Sequence, residues 1–297
     1  MGDESETVAV VGTGRMGAAM AATIRRAGFE TLVWNRDQTK AERVAEAIGA
    51  PVASSAAEAA AKADVVLTSL ADDAAVERVY LAPEGIVEGV APATVVVDTS
   101  TIDPRTTEKI GAAVDAAGAA FLDGPVSGSV STVEAGALTI MVGGDEAVLE
   151  RARRVLEALS SRVVHVGGRG TGAATKLAVN NLIHGLNVAL SEALVLAERA
   201  GVAREVAYEV FASGAAGAPF VQYKREVYEH PEDATVAFSL DLVAKDLELI
   251  TGLAQRVGVP MRQAETALEV VRDAIAHGFG DADLSAIAVH LRGEERS

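Results

Sequence analysis

The sequence predicts two domains: an α/β domain with a doubly wound sheet, and an all-α domain joined to it by a long helix. Over residues 1–166, short apolar strands alternate with amphipathic helices, a pattern typical of a parallel sheet covered on both faces. Over residues 167–297 the apolar spacing is helical throughout, with helices predicted at about 171–200, 203–213, 240–257, 261–277 and 281–291. The first of these contains no proline and predicts one helix roughly 40 Å long.

The composition of the chain limits the classes of molecule that it can bind. The chain has 297 residues, a formal net charge of −16 and no cysteine. The negative charge argues against nucleic acid and anionic membranes as partners. No apolar run reaches the roughly 18 residues of a membrane span, and the acidic first residues are unlike a secretory signal, so we expect a cytoplasmic protein. The five histidines lack metal-ligand spacing, and we predict no metal site.

A glycine-rich loop follows the first predicted strand, Thr7–Val11, and precedes a helix that ends near Ala27. The residues of the loop are Gly12, Thr13, Gly14, Arg15, Met16 and Gly17. In this context the spacing predicts a dinucleotide-binding loop: Gly12 allows the tight turn, Gly14 lets a pyrophosphate approach, and Gly17 lets helix and strand pack closely. The phosphates would lie at the helix N-terminus, which favours anions. The alternative is a glycine turn that binds nothing.

The second predicted strand, Glu30–Trp34, ends where the ribose of such a cofactor would lie. Sites that prefer NAD usually carry Asp or Glu here, whereas this chain has Asn35 followed by Arg36. A guanidinium can pair with a 2′-phosphate that a carboxylate would repel. The sequence therefore favours NADP, with Asn35 and Arg36 as contacts. NAD stays possible, because Asp37 adds a negative charge and Arg36 could simply be solvated.

Ligands bind at the carboxyl ends of the strands in a doubly wound sheet. The strands predicted at 63–70 and 94–98 end beside Leu70 and Thr101, and we expect both residues to face the nicotinamide half of the cofactor. Further strands are predicted at 119–123, 137–142 and 163–166. The loop Asp123–Ser129 carries backbone amides and serine hydroxyls suited to a carboxylate, with ordinary turn formation as the alternative.

Polar residues on the predicted long helix form one stripe. Its members lie within a sector of about 80°, and they are Lys176, Asn180, His184, Asn187 and Ser191. The remaining surface is apolar on nearly every side, which predicts a buried helix and a partner subunit that covers part of the helical domain. A lysine on such a stripe needs a partner or a wet cleft. The stripe is either a hydrogen-bond seam between packed helices or part of an active site.

Five motifs occur in order along the chain. They are GTGRMGAAM at Gly12–Met20, DTSTIDP at Asp98–Pro104, DGPVSGS at Asp123–Ser129, GAATKLAVNN at Gly172–Asn181 and KDLEL at Lys245–Leu249. Over nearly its whole length the chain thereby resembles the β-hydroxyacid dehydrogenase family. That family includes 3-hydroxyisobutyrate dehydrogenases, tartronate semialdehyde reductases and glyoxylate/succinic semialdehyde reductases. The resemblance implies a Rossmann-type N-terminal domain and an all-helical C-terminal domain, joined by the long helix.

The resemblance also implies roles for individual residues. By it, Lys176 is the catalytic residue and Asn180 contacts the substrate. The residues that would bind the carboxylate of a small substrate are Ser127, Gly128 and Ser129. Thr101 and Lys245 would approach the nicotinamide end of the cofactor.

The activity implied by the resemblance is that of an NADP(H)-dependent oxidoreductase. It would interconvert a small β-hydroxy acid, or a 2-hydroxy acid, and its semialdehyde or oxo acid, with Lys176 as general acid and base. Ser129 and the sequence Trp34-Asn35-Arg36 are similar to the glyoxylate/succinic semialdehyde reductase branch. Two alternatives stay open: an imine reductase, although that class replaces the lysine, and a dinucleotide-binding module without turnover. We also expect a homodimer or a homotetramer.

Overall fold

The computed structural model describes residues 6–294. It contains two compact units, one that ends at Lys176 and one that begins at Leu177. The division falls within a single long helix, Thr171–Arg199. The domain boundary expected from the sequence, between residues 166 and 167, stays a prediction. Within the described residues, no helix combines the length and the apolar character needed to cross a membrane.

The first unit is built on one sheet, which over residues 6–294 has eight strands. The strands are β1 (Thr7–Val11), β2 (Glu30–Trp34), β3 (Val65–Thr68), β4 (Val95–Asp98), β5 (Ala120–Asp123), β6 (Val126–Ser127), β7 (Leu138–Gly143) and β8 (Ser160–Gly167). Their order is β2-β1-β3-β4-β5-β7-β6, and β8 pairs with β7. Strands β1 to β5 are parallel, whereas β7 is antiparallel to β5 and β6. In this order β2 lies on one side of β1 and β3 lies on the other, so the strand order reverses between β1 and β3. This is the topological switch point of the sheet.

Helices cover this sheet. They are α1 (Arg15–Arg26), α2 (Gln38–Ile48), α3 (Ala56–Ala61), α4 (Asp73–Leu81), α5 (Ile86–Gly89), α6 (Pro104–Ala116), α7 (Val130–Glu134) and α8 (Glu146–Leu159). Several begin at an aspartate whose side chain accepts a backbone N–H of the first turn, as Asp72, Asp103 and Asp145 do. Such caps satisfy donors that would otherwise lack a partner.

The strands are buried on both faces, as a parallel sheet between helices requires. Val8 and Val10 of β1 belong to one apolar cluster, which includes residues of α1 and α8. Ala9 and Val11 point the other way, into a second cluster with residues of α3 and α6. The alternation confirms the predicted doubly wound α/β domain.

The second unit is helical throughout its described part. After α9 (Thr171–Arg199) come α10 (Arg204–Ser213), α11 (Pro219–Tyr223), α12 (Arg225–Glu229), α13 (Leu240–Val257), α14 (Arg262–Ala274) and α15 (Ala286–Arg292). A 3-10 turn covers Pro231–Asp233, and a π-helical turn covers Ile275–Phe279. The apolar faces meet in one core. The predicted all-α domain is confirmed, although the sequence analysis did not predict α11 and α12.

The polar stripe of α9 is its buried side. Asn180, His184, Asn187 and Ser191 are at most 6% exposed, whereas Leu182 and Leu196 are each 72% exposed. Within a single chain α9 is therefore buried on its polar side and partly exposed on its apolar side, and the expected partner subunit stays a prediction. The physical reason is hydrogen bonding, because each of these four polar side chains finds a partner inside the unit.

Asn187 illustrates the seam. Its Nδ2 donates to the carbonyl oxygen of Leu284 at 2.9 Å, and its Oδ1 accepts from the hydroxyl of Tyr228 at 2.7 Å. Buried amides cost little when donor and acceptor are both satisfied. Over these positions the stripe is the hydrogen-bond seam that the sequence left open as one interpretation.

Candidate active site

The glycine loop lies between β1 and α1, at the switch point of the sheet. Gly12 has a φ of +96°, and a Cβ built on Gly17 would lie 1.8 Å from the carbonyl oxygen of Gly12. A Cβ built on Gly14 would meet no atom within 4 Å. Gly14 is also the residue that precedes the first turn of α1. The open space at Gly14 and the free N–H groups of that turn fit a pyrophosphate, so the residues present suit a dinucleotide.

A cavity of about 430 Å³ opens beside this loop. Its volume lies within the range of roughly 300 to 1,000 Å³ that is usual for small-molecule sites. The predicted cofactor residues that line it are Gly12, Gly14, Asn35, Arg36 and Leu70. Lys40 and Arg78 also line the cavity, and Arg78 was not predicted from the sequence. The wall therefore brings three cations together with two carboxylates, Asp37 and Glu84.

Asn35 is tied into the glycine loop by its side-chain amide. Its Oδ1 accepts from the backbone N–H of Thr13 at 3.2 Å, and its Nδ2 donates to the carbonyl oxygen of Asp37 at 3.0 Å. The amide therefore fixes the end of β2 against the loop. Arg36 follows directly and is exposed on the cavity wall. A structural role for Asn35 was not predicted from the sequence.

A buried hydrogen-bond network joins the segments that follow β3 and β4. Oδ1 of Asp98 accepts from Thr68 Oγ1 at 2.5 Å and from Ser100 Oγ at 2.7 Å. Ser100 Oγ accepts in turn from the N–H of Leu70 at 3.0 Å, and the Tyr80 hydroxyl lies 2.9 Å from Thr68 Oγ1. Burial raises the pKa of Asp98 to about 6. The network holds the backbone at Leu70 and the start of the segment that contains Thr101, which is half-buried.

Asp123, the last residue of β5, caps the first turn of α9. Its Oδ1 accepts from the N–H of Gly170 at 2.9 Å and its Oδ2 from the N–H of Ala173 at 2.9 Å. A Cβ on Gly172 would lie 2.6 Å from the carbonyl oxygen of Asp123, so the helix can begin this close only with glycine there. Burial raises the pKa of the carboxyl, while the backbone donors oppose the rise. Lys176 follows one turn along the helix and is half-buried.

The loop after β5 contains the residues predicted to bind a carboxylate. Ser127 is half-buried and pairs with Thr139 of β7. Gly128 has a φ of +143°, a backbone conformation that favours glycine. Ser129 begins α7 in a capping box: its Oγ accepts from the N–H of Thr132, and Thr132 Oγ1 accepts from the N–H of Ser129. The Ser129 hydroxyl therefore has a structural partner, and a substrate contact for it stays a prediction.

In the second unit, two predicted site residues converge on one buried carboxylate, that of Asp246. Asn180 Nδ2 donates to Asp246 Oδ2 at 2.5 Å, and Lys245 Nζ lies 3.0 Å from Oδ1. His184 Nε2 lies 3.4 Å from Oδ2. Burial alone would raise the pKa of Asp246, but the hydrogen bond from His184 and the charge of Lys245 outweigh it and hold that pKa below its usual value. A role for Asp246 in the site was not predicted from the sequence.

The remaining predicted cofactor residues, Arg15 and Met16, form the start of α1; Arg15 is exposed and Met16 packs against the core. Among the described residues, one group of side chains could hold a metal ion. Asp273, His277 and His290 place possible ligand atoms within 4.8 Å of one another. Asp273 pairs with both histidines, and the expectation that the chain has no metal site stays a prediction.

Both halves of the chain match families of known proteins. Residues 7–167 match the family described as the NAD binding domain of 6-phosphogluconate dehydrogenase. Residues 170–291 match the family described as NAD-binding of NADP-dependent 3-hydroxyisobutyrate dehydrogenase. The first unit is therefore a dinucleotide-binding domain, as the glycine loop predicted.

Individual relatives extend over the whole chain. An NAD-dependent L-serine dehydrogenase of Pseudomonas aeruginosa is 34% identical, covering 94% of this chain and 96% of its own length. Glyoxylate/succinic semialdehyde reductase 1 of Arabidopsis thaliana is 33% identical, and the match covers 94% of this chain and 96% of that protein. The structure of a Mycobacterium tuberculosis 3-hydroxyisobutyrate dehydrogenase with L-serine superposes with a TM-score of 0.85 at 32% identity. The match covers 97% of this chain and 99% of that one. This chain accordingly belongs to the β-hydroxyacid dehydrogenase family of NAD(P)-dependent oxidoreductases.

Proposed function

We propose that this chain reduces a small carboxylate-bearing semialdehyde or oxo acid to its hydroxy acid, and catalyses the reverse oxidation, with NADP(H) as cofactor and Lys176 as general acid and base. NAD is the alternative cofactor. The observation that carries the proposal is the cavity that joins the glycine loop to three cationic side chains, those of Arg36, Lys40 and Arg78. Cations at the end of β2 suit a 2′-phosphate, and the neutral Asn35 stands where a repelling carboxylate would otherwise be.

Different residues would contact different parts of the cofactor. The N–H groups at Gly14 and the first turn of α1 face the pyrophosphate, while Leu70 and Thr101 follow the ends of the strands beside the nicotinamide. Lys245 would contact the same end from the second unit. When bound, the nicotinamide supplies or accepts the hydride.

The protein itself provides the proton that the reduction needs, from the side chain of Lys176. In the reductive direction Lys176 donates a hydrogen bond to the substrate carbonyl oxygen and then transfers a proton to it, so that a hydroxyl forms. In the oxidative direction the neutral amine takes the hydroxyl proton back. An ammonium beside a developing oxyanion is most effective where water is excluded.

The substrate is held at a second point, by its carboxylate. The loop with Ser127, Gly128 and Ser129 offers the backbone amide of Gly128 and the Ser127 hydroxyl for this purpose, whereas the N–H of Ser129 donates to Thr132. Fixing the carboxylate sets the distance of the reacting carbon from the catalytic amine. Asn180, four residues after Lys176 on the same helix, would orient the substrate oxygen.

Initial rates with a panel of substrates test the proposal. NADPH and NADH are each assayed with glyoxylate and with succinic, methylmalonic and tartronic semialdehydes, and the reverse reaction with 3-hydroxyisobutyrate and serine. We expect turnover of at least one of these acids, with higher kcat/KM for NADPH than for NADH. A cyclic imine reduced faster than every acid would favour imine reductase activity. NADPH binding without turnover of any substrate would favour a dinucleotide-binding module.

We further propose that the chain forms a homodimer through α9. Leu182, Ala189 and Leu196 recur every seven residues and are exposed, which places them on one side of the helix. Apolar side chains in a row at this spacing are typical of helix pairing. A second copy of the chain would cover them, and a homotetramer would need a further surface.

A further inference from the structure

One side chain joins the strand that opens the carboxylate-binding loop to the helix that carries Lys176. Asp123 is 2% exposed and ends β5. Its two carboxylate oxygens accept from Gly170 and from Ala173, each at 2.9 Å. These donors belong to a helix start, where backbone N–H groups have no partner within the helix. The same carboxylate therefore satisfies the start of α9 and ties it to the sheet.

The contact leaves the helix little freedom to shift. A Cβ on Gly172 would lie 2.7 Å from Asp123 Oδ2 and 2.6 Å from the carbonyl oxygen of Met141. On the other side, a Cβ on Gly143 would lie 2.6 Å from Asp123 Oδ1. Backbone from the helix start and from β7 thus approaches the carboxylate closely. The negative charge also lies at the positive end of the helix dipole, where it is stabilised.

We propose that Asp123 is a positioning residue that sets the place of Lys176 relative to the loop with Ser127. Lys176 lies three residues after Ala173, so a shift or rotation of the first turn moves the lysine with it. Asp123 is also the first residue of the loop Asp123–Ser129, so it is joined directly to the residues proposed to bind the carboxylate. One carboxylate therefore fixes both ends of the distance between the proton donor and the substrate carboxylate. This inference rests on the function proposed above, because it presumes that Lys176 acts on the substrate.

Two substitutions at Asp123 remove the cap in steps. Asp123→Asn keeps one acceptor oxygen but turns an NH₂ group toward a backbone N–H, so one of the two hydrogen bonds is lost. Asp123→Ala loses both. We expect kcat, per site that binds NADPH, to fall in the order wild type, Asn, Ala. The fall for Ala should reach roughly 10²-fold, the size expected when a reacting group is misplaced by about 1 Å. The Kd for NADPH should not change.

A second variant approaches the same contact from the helix. Gly172→Ala leaves Asp123 intact but places a methyl group against it. Elsewhere in a helix this change is stabilising, since alanine has the higher helix propensity. Here we expect the same loss of kcat with unchanged NADPH binding, so the proposal can be judged even if an Asp123 variant does not fold.

Asp145→Ala is the matched control. Asp145 caps α8 through the N–H of Ala147 at 2.7 Å, and α8 carries no predicted site residue. This variant should lower the thermal midpoint without lowering kcat. Lys176→Ala, measured in parallel, should lower kcat by about 10²- to 10⁴-fold.

Two results would overturn the inference in different ways. Asp123 variants that lower the thermal midpoint as Asp145→Ala does, with wild-type kcat per NADPH-binding site, would show a merely structural cap, and the proposed function would survive. Retained turnover in Lys176→Ala would overturn both the role of Lys176 and the inference drawn from it.

Discussion

Asp98 and Asp123 are register partners at the carboxyl ends of β4 and β5, and both carboxyl groups are buried. Asp98 binds hydroxyl groups of Thr68 and Ser100, and Asp123 binds backbone N–H groups of α9. Burial is the main cause of the raised pKa of Asp98, and the negative charge of Asp123 adds to it. Adjacent strands thus each end in a carboxyl that organises a different segment of the candidate site.

Replacing Asp98 by Asn should change how stability depends on pH. The pKa of Asp98 is about 6 in the folded chain, against 3.8 for an ordinary aspartate. A raised pKa means that the folded state holds the proton more tightly, so this contribution to stability is fully present below pH 3.8 and is lost as the pH rises through about 6. The loss amounts to about 3 kcal/mol.

The measurement is urea unfolding of both proteins from about pH 4 to about pH 7. We expect the free energy of unfolding of Asp98→Asn, minus that of the wild type, to grow by about 2 kcal/mol over this interval, because a part of the loss has already occurred at about pH 4. A difference that stays constant with pH would mean that Asp98 does not titrate there.

Arg36→Ala should weaken NADPH binding and leave NADH binding unchanged. Hydrogen bonds to a charged group contribute about 1.5–3 kcal/mol, so the Kd for NADPH should rise roughly 10- to 100-fold. Fluorescence titration with each cofactor measures both constants. Arg43→Ala is the control, because Arg43 is an exposed arginine of α2 outside the cavity. Equal losses for NADPH and NADH would rule out a contact with the 2′-phosphate.

Alanine at Gly14 and at Gly17 should produce opposite defects. A Cβ on Gly14 meets no atom within 4 Å, so Gly14→Ala should fold normally but exclude the pyrophosphate. A Cβ on Gly17 would lie 1.8 Å from the Gly12 oxygen, so Gly17→Ala should lower the thermal midpoint itself. Thermal unfolding with and without NADPH separates the two. Stabilisation of Gly14→Ala by NADPH to the same extent as the wild type would contradict the assigned pyrophosphate position.

Lys176→Ala should lower the rate of turnover and leave cofactor binding unchanged. General acid catalysis contributes about 10² to 10⁴ in rate, and kcat should fall by that factor while the Kd for NADPH stays the same. Steady-state rates and cofactor titration give the two numbers. Lys62→Ala, which removes an exposed lysine of the first unit, serves as control.

Leu182→Glu combined with Leu196→Glu should give monomers if α9 forms the dimer interface. Both side chains are 72% exposed, so the charges should not harm the isolated fold. Sedimentation velocity of wild type and variant gives the masses. Val257→Glu, at a 63% exposed position of α13, should leave the assembly intact. A wild-type chain that sediments as a monomer would end this proposal.

Local sterics made much of the first unit predictable. The roles of Gly12 and Gly17 follow from a strand, a loop and a helix that adjoin in sequence, and the structure has the expected close contacts. The capping box of Ser129 and Thr132 is equally local. Its Ser-x-x-Thr spacing was present in the sequence and could have been identified there.

Contacts between distant residues could not be predicted in this way. Asp123 meets Gly170 and Ala173 across 47 and 50 residues, and Asn180 meets Asp246 across 66. No local periodicity encodes such partners. The polar stripe of α9 was visible, but its side-chain types fit solvent, substrate and buried partners alike, so its burial needed the fold.

The amide of Asn35 has a consequence for redesigning coenzyme preference. Asn35→Asp supplies the carboxylate that NADH-selective enzymes commonly place here, and it keeps an acceptor for the N–H of Thr13. It also turns an oxygen toward the Asp37 carbonyl, where Nδ2 now donates at 3.0 Å. Two acceptors would then face each other at the rim of the glycine loop. A successful conversion to NADH therefore requires a compensating donor close to residue 37.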